Sequence, residues 1–215
     1  MPHPMKVIVN ADDLGMSLAV NDAIFRAFDE GLLVSTTALV HGPAFGDAVR
    51  RTRNRPGLHI GVHLDTTEFH LAPDRLQAWR EQVRIAREAG IEPTHLDSHQ
   101  HIHLHWASLL ALRRLCRETG ISRLRGRSLD YGPSVRSRAW RRMVQTFAAM
   151  PDHYFSLEHW VACGSPEREG VTEIMVHPGN PHHARYAREM EQLTVLRRGW
   201  QVCSFTDLAV PVQLA

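Results

Sequence analysis

Short apolar runs alternate along this chain with amphipathic segments, and the two spacings predict strands and helices in turn. Apolar or β-branched runs typical of buried strands cover residues 6–10, 33–40, 58–64, 94–97, 171–177 and 201–203, and 121–125 is a weaker candidate. Apolar positions at helical spacing predict helices near 17–30, 44–53, 73–90, 106–118, 134–149 and 183–197, and a final helical turn over 205–208. The pattern over 153–163 favours neither type of element.

This alternation predicts an α/β fold with a mainly parallel sheet. Roughly seven strand–helix units favour a closed or nearly closed barrel, like a TIM barrel, over an open doubly wound sheet. The turn after the first strand reads Ala-Asp-Asp-Leu-Gly, which is not a glycine-rich phosphate loop and argues against a nucleotide-binding domain. Because the chain contains no linker or repeat, we expect one domain, residues 1–215, folded as a parallel β/α barrel of about seven strands.

Composition narrows the class of protein without fixing its chemistry. Hydrophobic residues make up 43% of the chain, and the formal net charge of +2 argues against a dedicated nucleic-acid partner. Three cysteines without a CxxC spacing argue against a disulfide framework and against a thiolate zinc site. The first residues lack the apolar region of a signal peptide, and no apolar run is long enough to span a membrane. We therefore expect a cytoplasmic protein.

Histidine is the unusual residue of this composition, because the chain has 15 of them and several fall within residues 95–105. The polar clusters lie where predicted strands end: Asp12 and Asp13, then His63, then Asp97 and His99, then His177. In a parallel barrel the carboxyl ends of the strands converge on one face, where active sites are built. These side chains are therefore expected to meet.

One aspartate and two histidines form a suitable ligand set for a divalent cation that keeps open positions for water and substrate. We assign Asp13, His63 and His99 as these ligands. Asp12, beside the cation, is then the expected general base for an activated water, with a pKa that the cation lowers. Two roles are possible for His177: a general acid that protonates a leaving amine, or a residue that orients the substrate.

Each of these residues also has a purely structural interpretation. Adjacent aspartates after a strand often cap the following helix, and a lone histidine such as His63 is often held only by structural hydrogen bonds. The histidines at 99, 101, 103 and 105 also match an exposed alternating strand end. We expect the remaining histidines to lie outside the site: His95 as a structural residue, His105 beyond the site, and His182 and His183 at an exposed helix start. The joint occurrence of all the clusters at strand ends favours the metal site.

Five segments of the chain match a known family in the family's order. They are Val-Asn-Ala-Asp-Asp-Leu-Gly (9–15), Gly-Leu-Leu-Val-Ser-Thr-Thr-Ala-Leu-Val (31–40), Ile-Gly-Val-His-Leu (60–64), Thr-His-Leu-Asp-Ser-His-Gln-His-Ile-His (94–103) and Thr-Glu-Ile-Met-Val-His-Pro-Gly (172–179). With these segments the chain resembles the YdjC-like carbohydrate deacetylases, the family that contains chitooligosaccharide deacetylase.

The resemblance implies a distorted β/α barrel, a divalent metal that is Mg²⁺ or Zn²⁺, and removal of an N-acetyl group from an amino sugar. It implies Asp13, His63 and His99 as metal ligands, Asp12 as the base and His177 as the second catalytic-side histidine. Arg123 or Arg125 matches a family arginine near the substrate, and His101 and His103 are further substrate-binding candidates that do not touch the metal.

The leading hypothesis is therefore a metal-dependent hydrolase in which metal-activated water attacks the acetamide carbonyl of an N-acetylated sugar or glycoconjugate. Two alternatives stay open: an amide or ester hydrolase with a non-sugar substrate, and a sugar- or metal-binding protein without activity. The stretches after His63 and over 125–170 are shorter than in the family. The site is then either more open or completed by a second subunit of a homodimer.

Overall fold

The computed structural model describes residues 5–65, 72–128, 130, 134–182, 186, 188–196 and 199–211. Within these residues, seven strands form one sheet in which every pairing is parallel. The strands are β1 (Met5–Leu14), β2 (Ser35–Ala38), β3 (His59–Leu64), β4 (Leu96–Ser98), β5 (His153–Ser156), β6 (Val171–Val176) and β7 (Trp200–Val202).

The sheet has the order β4-β3-β2-β1-β6-β5, and β7 pairs with the beginning of β1. β1 is central and reads as a nearly continuous apolar run because both of its faces are covered; Val7, Ile8 and Val9 are all fully buried. Beyond β4, isolated parallel bridges join Leu96 to Leu124 and Arg123 to Ala149, so the sheet curls onward past its edge. The prediction of a distorted parallel β/α barrel is thereby confirmed.

Helices cover the outside of this curled sheet. They are α1 (Leu18–Asp29), α2 (Phe45–Thr52), α3 (Ala72–Glu88), α4 (Leu109–Thr119), α5 (Val135–Val144), α6 (Leu157–Ala162) and α7 (Glu189–Leu196). Ser17 caps α1 as its sequence position predicts, with its side chain accepting a hydrogen bond from the backbone N–H of Val20. Short 3₁₀ turns cover His99–Leu104, Trp106–Ser108 and Phe205–Asp207.

Several predicted elements have different bounds in the structure. The helix expected over 134–149 ends at Val144, because Ala149 joins the curled sheet: its N–H donates to the carbonyl of Ser122 and its carbonyl accepts from the N–H of Leu124. For the same reason 121–125 contributes single bridges and no full strand. The ambiguous stretch 153–163 divides into β5 and α6.

Other predicted bounds shift by a few residues. The helix expected over 106–118 opens with a 3₁₀ turn before α4, and the one expected over 183–197 begins, in its described part, at Glu189. Trp79, Trp140 and Trp160 are buried in the core. No helix in the described part of the chain is long and apolar enough to cross a membrane.

Candidate metal centre and cleft

The end of β1 brings two neighbouring carboxylates into one cavity. In a regular strand the side chains of Asp12 and Asp13 would point to opposite faces of the sheet. Here the pairing of β1 with β2 shifts register between Ala11 and Leu14, and Asp13 has a backbone φ of 71°. This left-handed conformation is one that aspartate adopts more readily than most residues. Both carboxylates consequently line the same cavity.

Asp13, His63 and His99 offer three ligand atoms that lie within 4.8 Å of one another. The Nε2 atom of His63 is 3.6 Å from Oδ1 of Asp13, and the rings of His63 and His99 meet edge to face with centroids 5.9 Å apart. Oδ1 of Asp13 is buried and has no hydrogen-bond partner among the described residues. Because an unpaired buried carboxylate oxygen is costly, these residues fit a divalent cation.

Asp97 fixes the orientation of His63. Its Oδ1 lies 2.8 Å from Nδ1 of His63, and its Oδ2 accepts a hydrogen bond of 2.9 Å from the Thr37 hydroxyl. A histidine that donates from Nδ1 to a carboxylate presents Nε2 as the free ligand atom, the arrangement common behind metal-bound imidazoles. The Asp97–His63 pair therefore points Nε2 at Asp13 and His99.

Three carboxylates surround His63, and their negative charges favour a positive charge at this position. Burial alone would lower the pKa of His63, but Asp97, Asp12 and Asp13 outweigh it and raise this pKa to about 9. A divalent cation bound by His63 would supply positive charge to the same three carboxylates.

Asp12 is held by an arginine. The buried guanidinium of Arg125 donates from Nη1 to Oδ2 of Asp12 at 2.7 Å and from Nη2 to Oδ1 at 2.6 Å. Burial would raise the pKa of Asp12, but Arg125 overcomes this and holds it well below its usual range. The sequence predicts that a metal cation lowers the pKa of Asp12. In the structure the guanidinium of Arg125 already lowers it.

Arg125 also decides between two possible metal clusters. Asp12, His63 and Asp97 form a second group with ligand atoms within 4.8 Å. Nη1 of Arg125 lies 3.0 Å from Oδ2 of Asp97 and also donates a hydrogen bond to Asp12. The positive charge of the guanidinium therefore already neutralises the carboxylates of this second cluster. Asp13, His63 and His99 are therefore the better candidate metal ligands of the two groups.

His177 follows β6 and lies beside Asp12. Its Nε2 is 3.8 Å from Oδ2 of Asp12, and its ring stacks on Tyr186 with centroids 4.4 Å apart. The side chain of Glu189 accepts a hydrogen bond from the backbone N–H of His177 and so anchors the loop. Burial lowers the pKa of His177, although Asp12 and Asp13 oppose the shift. The imidazole of His177 lines the cleft, and burial favours its neutral form.

Two adjoining cavities form the cleft. The first, about 540 Å³, contains Asp12, Asp13, His63, His99 and His177. The second, about 560 Å³, shares four wall residues with the first: His101, Met175, His177 and Tyr186. Its own lining is rich in hydroxyl and charged groups, including Arg127, Ser134, Ser137, Tyr154 and Glu158. The cleft thus joins a metal-binding end to a polar end.

Not all of the substrate-binding candidates reach this cleft. His101 lines both cavities, with Nε2 at 3.0 Å from the Tyr154 hydroxyl. His103 does not line them: it is fully buried, Nδ1 accepts from the Ser98 hydroxyl and Nε2 donates to the carbonyl of Arg125. Both of its ring nitrogens are thus occupied within the protein, so the prediction that it binds substrate has no support in this arrangement.

The two candidate arginines line neither of the two cavities. Arg125 is fully buried against Asp12, so it is a positioning residue for that carboxylate. The guanidinium of Arg123 donates to the backbone carbonyls of Thr206 and Leu208 and lines neither cavity. Their predicted substrate contacts have no support in this arrangement and stay predictions.

The other histidines divide in a different way from the expectation. His95 is structural as expected, because it is buried, stacks on Phe205 at 4.0 Å and lies 3.1 Å from Oδ1 of Asn10. His105 is exposed and lines neither cavity. His182 is exposed but lines the first cavity, whereas His183 lies outside the described residues.

Sequence reasoning missed three residues that support the site. Asp97 stood in a recognised cluster but received no role, although the spacing Asp-Ser-His at a strand end is a usable signal. Asn180 donates from Nδ2 to Oδ2 of Asp13 at 3.0 Å. Glu173 is a lone carboxylate within the apolar strand β6, which marks it as a residue in need of a partner.

A family comparison covers almost the whole described chain. The model of the YdjC-like protein family matches residues 6–78 and 74–210. The matched ranges include every strand and helix described above except the first residue of β1.

Curated relatives include carbohydrate deacetylases. A protein of Halalkalibacterium halodurans named carbohydrate deacetylase is 27% identical over 90% of this chain and 97% of its own length. A chitooligosaccharide deacetylase of Salmonella schwarzengrund is 33% identical over 54% of this chain and 57% of its own length.

Solved structures agree with the fold. A protein of Enterococcus faecalis, described as a proposed cellobiose-phosphate cleavage protein, superposes with a TM-score of 0.78 at 24% identity, covering 94% of this chain and 98% of the other. A family 4 carbohydrate esterase from Streptomyces lividans, in complex with acetate, has a TM-score of 0.60 at 15% identity and covers 98% of this chain and 100% of the other. At these identities the likeness concerns the fold alone.

Proposed function

Since the chain belongs to the YdjC-like protein family, we propose that it is a metal-dependent hydrolase that removes the N-acetyl group from an amino sugar or oligosaccharide. The observation that carries this proposal is the cluster of Asp13, His63 and His99 around a buried, unpartnered carboxylate oxygen, with Asp12 in the same cavity. The names of the curated relatives, carbohydrate deacetylase and chitooligosaccharide deacetylase, support the same reaction class.

Asp13, His63 and His99 would hold the metal, and their chemistry favours one type of ion. Two imidazoles and one carboxylate suit Zn²⁺ better than Mg²⁺, which prefers oxygen ligands. A divalent cation bound there would polarise the acetamide carbonyl and lower the pKa of a water molecule. Asn180 holds the second oxygen of Asp13, so this carboxylate keeps one oxygen for the ion.

Asp12 is the general base of this proposal. Arg125 keeps it ionised, and the carboxylate lines the cavity next to Asp13. It takes the proton of the attacking water as the oxygen bonds to the acetamide carbon. Arg125 balances the charge of Asp12 before the reaction and holds both carboxylate oxygens in a fixed plane.

His177 delivers the proton to the leaving nitrogen. Burial lowers its pKa and so favours the neutral imidazole, which needs a proton before it can act as an acid. Its Nε2 lies 3.8 Å from Oδ2 of Asp12, beside the carboxylate that takes the proton of the water, and it passes that proton to the leaving nitrogen. Cleavage of the C–N bond then yields acetate and a free amine.

The two cavities suggest how a sugar would lie. The acetamide occupies the first cavity, beside the metal ligands, and the rest of the substrate extends past His101, Met175 and Tyr186 into the second. Hydroxyl-rich walls with a few charged groups match the many hydroxyls of a glycan. This lining favours a sugar over an apolar amide.

Acetate release from N-acetylglucosamine oligomers tests the proposal, with Asp12→Asn as the decisive variant. We expect the metal-loaded wild-type protein to release acetate and Asp12→Asn to lose about 10²–10⁴-fold in kcat, the usual contribution of a general base. The Asp22→Asn variant, which changes an exposed aspartate of α1, serves as the control and should be fully active. Full activity of Asp12→Asn would show that the base has been assigned to the wrong residue.

A further inference from the structure

Glu173 is a fully buried carboxylate in the middle of β6, where its backbone neighbours are Ile8 of β1 and Tyr154 of β5. Burial raises its pKa to about 7 even though the Arg125 charge opposes this shift. One oxygen, Oε1, accepts a hydrogen bond of 2.6 Å from Nε of Arg125. The other, Oε2, has no partner among the described residues. Burial of the Glu173 carboxylate is therefore costly in free energy, and its contact with Arg125 is the one described interaction that offsets this cost.

The guanidinium of Arg125 is shared among three carboxylates. Nε faces Glu173, Nη2 faces Asp12, and Nη1 faces both Asp12 at 2.7 Å and Asp97 at 3.0 Å. The group is planar and its Nε–H bond lies in that plane. A partner at Nε therefore sets the plane in which the two Nη groups meet Asp12.

Asp97 attracts the same guanidinium at Nη1, whereas Glu173 contacts it at Nε. A contact with Asp97 alone would let the guanidinium turn towards it and weaken one of the two bonds to Asp12. Glu173 opposes this rotation because it holds the opposite edge. β6 also carries the chain into His177, so one strand sets both this anchor and the histidine beside Asp12.

We propose that Glu173 is a positioning residue for the hydrolysis: through Nε of Arg125 it fixes the guanidinium in the plane that holds the Asp12 carboxylate. Only the predicted effect of Glu173 on turnover rests on the proposed function. The effect on the Arg125–Asp12 geometry is independent of any activity. A plain stabilising role is a weak alternative, since a buried ion pair often contributes little to stability compared with apolar residues of similar volume.

Three variants and one matched control test this inference. Glu173→Leu and Glu173→Ala remove the acceptor, and Glu173→Gln keeps an oxygen acceptor at the same position. Thr172→Val is the control, because Thr172 is equally buried on the same strand and its hydroxyl has no partner among the described residues. Crystal structures report the Arg125–Asp12 contacts. Acetate release reports kcat and KM, and calorimetric titration reports the affinity for Zn²⁺.

We expect the guanidinium to turn in the Leu and Ala variants and to lose one of its two bonds to Asp12, whereas the Gln variant keeps both. We expect kcat to fall about tenfold or more in the Leu and Ala variants, as for other small misplacements of catalytic groups, with KM and Zn²⁺ affinity nearly unchanged. Glu173→Gln should recover most of kcat, and Thr172→Val should match the wild type.

Unchanged Arg125–Asp12 contacts in Glu173→Leu or Glu173→Ala would overturn the inference, whatever the activity. So would a Gln variant with the same loss of kcat as the Leu variant, or a fall in Zn²⁺ affinity that accounts for the loss. If the wild-type protein releases no acetate, the proposed reaction fails, and the crystal structures still decide the role of Glu173.

Discussion

At the scale of single residues, the contact between Asp97 and His63 sets which imidazole nitrogen of His63 faces Asp13. The imidazole has two nitrogens, and only the one that is free of the carboxylate can bind an ion. Asp97 takes Nδ1 at 2.8 Å and leaves Nε2 within 3.6 Å of Asp13. Replacement of Asp97 therefore changes the metal site without removing any proposed ligand.

We predict that Asp97→Asn lowers the affinity for Zn²⁺ by about tenfold to a hundredfold, as is usual when the partner of a ligating histidine is changed. The reason is that an amide holds the protonated Nδ1 less strongly than a carboxylate does. Competition with a chelating dye measures the affinity. Asp47→Asn, on α2, is the control that should bind as the wild type does, and an affinity within about twofold of wild type in Asp97→Asn would contradict the role of Asp97.

The sequence predicts single residues of the site only where they lie at the carboxyl end of a strand. Asp13, His63 and His99 are such residues, and the structure brings them together. Arg125 and His103 could not be placed in this way, because both are fully buried by contacts with segments far away in the chain. Which way a side chain faces in a curled sheet depends on that packing, and no local pattern records it.

At the scale of elements, the loop after β6 rests directly on α1. Gly179 has a backbone φ of 74°, and a Cβ atom added there would lie 2.6 Å from the backbone oxygen of Ala19 and 2.8 Å from Cβ of Ala23. The same loop carries His177 and Asn180, which face Asp12 and Asp13. The close contact between this loop and α1 therefore sets the positions of both side chains.

We predict that Gly179→Ala lowers kcat/KM by about tenfold or more, since displacement of a catalytic group by about 1 Å has effects of this order. Gly57→Ala is the matched control, because Gly57 also has a positive φ, of 95°, but an added Cβ would meet nothing within 4 Å. That variant should lose about 1–2 kcal/mol of unfolding free energy and keep its activity. Equal activity of the two variants would mean that the loop does not depend on this contact.

The periodicity of the sequence predicts the elements well where each one is long and regular. The cap of α1 at Ser17 and the strands β3 and β6 follow from the local pattern, whereas β1 continues beyond its predicted end at residue 10 to Leu14. The end of α5 at Val144 does not, because the helical spacing continues to Phe147 while the chain must become extended at Ala149 to extend the sheet. Tertiary hydrogen bonds override the local preference there.

At the scale of the whole molecule, the curled sheet places both cavities at the carboxyl ends of its strands. The cavities measure about 540 and 560 Å³ and share a wall that includes His101 and Tyr186. The alternation of strands and helices was enough to predict this face of the barrel. The size and polarity of the second cavity could not be predicted, because distant residues such as Arg127 and Glu158 form it together.

We predict that an N-acetylglucosamine disaccharide has a kcat/KM at least about tenfold above that of the monosaccharide, because only the longer substrate reaches the second cavity and one or two added hydrogen bonds account for such a factor. Arg127→Ala should reduce this preference, while Arg123→Ala, outside both cavities, should not. Steady-state rates of acetate release measure it. Equal kcat/KM values for the two substrates would exclude the second cavity as part of the binding site.

The measurement that tests the account most directly is calorimetric titration of metal-free protein with Zn²⁺. We predict one ion for each chain in the wild-type protein and in Asp12→Asn, and no specific binding in Asp13→Asn or His63→Ala, because these two variants remove proposed ligand atoms. Binding of Zn²⁺ to Asp13→Asn as tight as to the wild type would contradict the metal centre at the end of β1.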